Sequence, residues 1–60
     1  MEIYRVYIYY LRTAKHKDFD SRNGALNYAY DIANNNEKAM HIIIENINTY
    51  EKVLELYPER

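Results

Sequence analysis

Asp18 and Asp20 stand two residues apart just before Ser21, with His16 a little upstream. Carboxylates at that spacing could hold a hard cation or share an acid–base step. Ser21 with His16 or His41 could form a nucleophile and its base. Each chemistry needs more than this chain supplies. A hard cation takes about six oxygen ligands in a defined arrangement, and no further acidic cluster stands beside the pair. A serine nucleophile needs an oriented base and oxyanion donors, often within a glycine-rich turn, and Gly24 is the single glycine. The two histidines lie in unrelated segments and there is no cysteine, so no zinc pattern forms. A chain of sixty residues also leaves little room for a substrate cavity of ~300 Å3 or more. No catalytic, metal-binding or cofactor-binding residue is assigned, and the expectation is a protein that is not an enzyme. The aspartates and Ser21 have a simpler use, as caps for the free N–H groups that open a helix.

Charge divides along the chain. Residues 1–22 hold five basic against three acidic side chains, and residues 23–60 hold three against six, which gives the net charge of −1. Arg12, Lys15, His16, Lys17 and Arg22 could meet phosphates while nearby Tyr7 and Tyr9 stack unpaired bases. The glycine-plus-aromatic strand signature of base-stacking sheets is absent, and the overall charge is of the wrong sign. Glu37, Glu45, Glu51, Glu55 and Glu59 could imitate the charge of a nucleic acid, but such residues more often solvate a hairpin and discourage edge pairing.

Tyrosine is the stronger signal. Eight of the sixty residues are tyrosine, and four of these fall in the run Ile3-Tyr4-Arg5-Val6-Tyr7-Ile8-Tyr9-Tyr10-Leu11. The run is rich in β-branched and aromatic residues and reads as a strand. Tyr4, Val6, Ile8 and Tyr10 can enter a core. Arg5, Tyr7 and Tyr9 fall on the opposite face, which is too apolar for an ordinary wet surface.

The elements that would position these rings follow from spacing. Thr13 to Lys17 reads as a polar, basic connection, and Asp18-Phe19-Asp20 as a loop or one more short stretch of strand. Ser21, or Asp20 in its place, caps a helix from Arg22 to about Asn35, with Phe19 folding back on its first turn. Ala25, Leu26, Tyr28, Ala29, Ile32 and Ala33 make one stripe at 100° per residue. The asparagines 34–36 end the helix, a residue type that tolerates the left-handed closing conformation. Residues 39–57 read as a hairpin, with Met40, Ile42, Ile44, Leu54 and Leu56 on one face. Pro58 stops the final strand.

The expected fold is α+β: a single β-α-β-β domain, with one helix packed on one face of a three-stranded antiparallel sheet. One helix covers one face, so Arg5, Tyr7, Tyr9, His41, Ile43, Val53 and Tyr57 are expected on the open one. A domain this small buries only about 60% of its unfolded surface, and without cysteine it has no disulfide to help. Association is the remaining aid, and tyrosine is enriched at interfaces. The expected function is that of a small protein-binding module, a homodimer that also occupies the surface of a host or cellular protein. A bacterial or phage accessory protein or inhibitor would suit the Asn-, Ile-, Tyr- and Lys-rich composition. The alternative is a nucleic-acid-associated protein using the Tyr face with Arg12, Lys15, His16, Lys17 and Arg22. No leader and no apolar run of about 20 residues is present, so a cytoplasmic location without membrane contact is expected.

Overall fold

A computed structural model of the chain describes residues 1–58. The order of elements is β1 (Tyr4–Tyr9), β2 (Ala14–Phe19), α1 (Arg22–Asn35), β3 (His41–Asn46) and β4 (Glu51–Leu56). The strands form one antiparallel sheet in the order β2-β1-β3-β4. The fold is α+β as expected, with four strands in place of three. The added strand is β2, where the sequence reads as a basic connection. It lacks a core-facing alternation because it is an edge: only Phe19 of its six residues is even partly buried. Its lysines keep water at an edge that would otherwise template further pairing. It is held by its ladder to β1 and by side chains that reach past the strand. Arg5 grips Asp18 through two contacts of 2.7 and 3.0 Å, and Lys17 Nζ lies 5.2 Å from the Tyr28 ring centre.

The helix begins where the sequence places it. Ser21 is the N-cap, and its Oγ accepts from the Gly24 N–H at 2.9 Å. Phe19 does lie against this first turn. A Cβ built on Gly24 would come within 3.3 Å of the Phe19 ring and 3.2 Å of Ser21 Oγ, so glycine gives both neighbours their room. The closing turn differs from expectation. Asn36 is extended (φ −109°), and its N–H still donates to Ile32 O. Its side-chain oxygen then accepts from the Lys38 N–H at 3.0 Å, which turns the chain without a left-handed residue.

Ala25 and Ala29 are fully buried and let α1 approach the sheet closely. Against them lie Tyr4, Val6, Ile8, Ile42 and Ile44, with Leu26, Tyr28, Ile32, Leu54 and Leu56 packed around the margin. The alternation in β1 and β3 therefore selects the expected core face. Two positions depart from it. Met40 precedes β3 and is 53% exposed, while the neighbouring Ala39 is buried in its stead. Val53 sits at a β-bulge, where Ile44 pairs with Leu54 but Glu45 pairs with Lys52. The extra residue breaks strict alternation, and Val53 packs against the core cluster, not on the open face. No helix among the described residues is long and apolar enough to cross a membrane.

Candidate functional site: the open face of the sheet

β1 supplies the centre of this face. Tyr7 lies opposite His16 on one side and Ile43 on the other, and Tyr9 lies opposite Ala14 and His41. The pleat sends these side chains away from the helix, because their neighbours Val6 and Ile8 are committed to the core. Their rings form an unbroken row. The His16 and Tyr7 centroids are 6.3 Å apart, Tyr7 and Tyr9 6.4 Å, and Tyr9 and His41 5.5 Å. His41 and Tyr57 are closest, at 4.3 Å and within 10° of parallel. The row runs from edge strand β2 to the residue that follows β4. The three wider spacings lie within the usual range for aromatic pairs, and the closest is a near-parallel stack. The rings partly cover one another, yet Tyr57 remains 67% exposed and Tyr9 37%.

Charges of both signs flank the rings. On the β2 side, Arg5 and Asp18 form a forked pair. Mutual hydrogen bonding holds the Asp18 carboxyl below its ordinary range and the Arg5 guanidinium above it. On the β4 side, Glu55 gathers three donors: Lys52 Nζ at 2.6 Å, His41 Nε2 at 2.8 Å and the Tyr57 hydroxyl at 2.9 Å. Lys52 first, then Tyr57 and His41, pull its carboxyl down to about 2. The same contacts raise Lys52 and Tyr57. Glu55 thus fixes the edge of His41 and the hydroxyl of Tyr57, and so the parallel setting of the two rings. Tyr7 donates to Glu45 Oε1 at 3.3 Å.

Of the residues expected on this face, Arg5, Tyr7, Tyr9, His41, Ile43 and Tyr57 come together there, and Val53 does not. His16 joins them, a residue the sequence places in a basic connection. Its membership follows from being two residues from Ala14 and Asp18 in a strand, and becomes legible only once β2 is known to pair. The other basic residues scatter. Lys15 and Lys17 lie opposite Ile8 and Val6 and so point to the helix side of the edge, Arg12 lies in the β1–β2 turn, and Arg22 opens α1. The acidic residues also divide: Glu45 and Glu55 adjoin the rings, Glu37 and Glu51 lie elsewhere, and Glu59 is outside the described residues.

Two of the candidate reactive groups, Asp18 and Ser21, have structural partners. Both Asp18 oxygens are taken by Arg5, and the Ser21 hydroxyl is the helix cap. Among the described residues no cluster of three His, Cys, Asp or Glu side chains could hold a metal ion. What the face offers is stacking area bordered by hydrogen-bonding groups of both signs.

Comparison with protein-family models, with curated proteins and with solved structures returns no match.

Proposed function

We propose that the chain is a non-catalytic interaction module that works through the tyrosine–histidine face of its sheet. The observation that carries this reading is the aromatic row on the face that α1 leaves open. Large, stiff rings with a polar edge give contact area at low cost in side-chain entropy, which suits a protein interface. The first partner proposed is a second copy. The flanks carry Arg5 with Asp18 on one side and Lys52 with Glu55 on the other, so a two-fold arrangement can set opposite charges against each other. In this form or as a single chain, the module would occupy a surface of a protein in its host, as an accessory protein or inhibitor of bacterial or phage origin does.

The alternative is stacking of unpaired bases on the same rings. The arrangement of rings on a sheet favours it, but the electrostatics oppose it. Arg5 and Lys52 face three carboxylates, Asp18, Glu45 and Glu55, and most of the early basic residues point elsewhere.

Sedimentation across a dilution series, followed by pull-down from host lysate at two salt concentrations, separates the readings. A concentration-dependent dimer, or salt-insensitive capture of one protein, supports the module. Retention on single-stranded nucleic acid that falls steeply with salt supports the alternative. A monomer that captures neither removes both.

A further inference from the structure

A second feature lies away from the open face, at the end of the sheet where β1 and β4 finish and β3 begins. There the β1–β2 turn, the segment after α1 and Pro58 enclose an open groove of about 1020 Å3. Its apolar lining comes from Tyr10, Leu11, Ala39, Met40 and Pro58. Leu11 is 78% exposed and Met40 53%, though neither position requires an apolar residue. Leu11 is at a turn, where polar residues and glycine are usual. Met40 sits beyond the end of the core. A methionine there offers an adaptable apolar surface.

Among the described residues, three cations border this lining, Arg12, Lys15 and Lys38, against one carboxylate, Glu37. This is the reverse of the chain's overall charge of −1. The ion pairs among the described residues involve Arg5, His41 and Lys52 and none of these three. The Tyr10 hydroxyl accepts from Asn36 Nδ2 at 3.2 Å, which leaves its own proton to donate.

We propose that this groove binds a small carboxylate with an apolar body. The acid end lies between Arg12, Lys15 and Lys38, and the body rests on Leu11, Met40 and Pro58. Charge complementarity selects an anion, and the exposed apolar lining selects one with a hydrophobic part. Glu37 in the same lining disfavours a doubly charged phosphate relative to a singly charged carboxylate. The groove is open to solvent, so it offers a shallow seat for such a ligand and not the enclosed cavity that a chain of this size has little room for.

Titration of the isotopically labelled chain with decanoate, followed by amide NMR, tests this. Saturable shifts are expected at Leu11, Arg12, Lys38 and Met40, with decanol and decyltrimethylammonium binding at least about tenfold more weakly. Replacing Arg12→Gln and Lys38→Gln together should weaken decanoate binding by about tenfold. Arg22→Gln, at the start of α1 and outside the groove, should leave it unchanged. Equal binding of decanol would overturn the role of the cations. Shifts centred on Tyr7 and Tyr9, or none that saturate, would overturn the site. An acidic peptide that binds in the groove where decanoate does not would overturn the small-molecule reading in favour of a protein partner.

Discussion

The His41 imidazole and the Tyr57 ring stack 4.3 Å apart, and both are hydrogen-bonded to the same carboxylate, that of Glu55. Three residues far apart in their demands are thus held as one unit at the β3–β4 border. A double-mutant cycle with His41→Ala and Tyr57→Ala should give a coupling of about 0.5–1 kcal/mol. Urea unfolding of the four proteins measures it, and additive losses would show that the stack contributes nothing.

The paired rings on β1 provide the test of the proposed interface. Tyr7→Ser with Tyr9→Ser should leave the inner core intact, since Val6 and Ile8 point the other way. Light scattering with circular dichroism on the same samples should show a folded, largely monomeric variant whose parent is more heat-stable at high concentration. A variant that stays dimeric moves the contact to a sheet edge, β2 or β4.

Ala29 is fully buried under the sheet. Ala29→Glu should unfold the domain, because burying an unpaired carboxylate costs several kcal/mol, on the order of the whole stability of a small protein. Ile32 lies at the margin of the core, so Ile32→Asp should cost less. Equal melting temperatures for Ala29→Glu and the parent would reverse the helix.

Tyr50 in the β3–β4 loop has φ 64°, the left-handed region, and its side chain is 81% exposed. Its N–H donates to Asn46 O at 2.7 Å, which closes the turn in this conformation. A side chain there costs about 1 kcal/mol that glycine avoids. Tyr50→Gly should therefore raise the melting temperature by a few degrees. A fall would mean that the tyrosine ring makes a contact that outweighs the backbone strain.

Glu55 gives the domain an acid-sensitive element. Its carboxyl falls from an ordinary 4.5 to about 2 in the folded chain, so the unfolded chain takes up the proton first as pH drops. The stabilisation is fully present above pH 4.5 and is lost as pH falls through about 2. Asp18 and Glu2, also lowered, act in the same direction. Thermal melts from pH 6 down to about 2 should show a shallower decline for Glu55→Gln than for the parent. Parallel curves would mean that the carboxylate has no special partners in solution.

The order of amino acids encodes local periodicity, and that much was legible before folding. The alternation in β1 and β3 sorted core from open face, the helix stripe brought Ala25 and Ala29 inward, and Ser21 marked the helix start. It also placed Tyr7, Tyr9, His41 and Tyr57 on one side of the sheet. The rest came from contacts between segments. β2 carries no apolar period, because an edge strand draws its stability from pairing with β1 and from Arg5–Asp18, and neither leaves a local pattern. With β2 unseen, His16 could not be placed beside Tyr7. The bulge that turns Val53 to the core arises from the register between β3 and β4, which neither strand's own sequence carries. Likewise, Met40 stays in the open because the helix ends before reaching it, and Glu55 unites Lys52, His41 and Tyr57 only once two strands lie side by side. Periodicity is a property of one segment; pairing, register and shared hydrogen bonds belong to two or more, and folding alone brings those together.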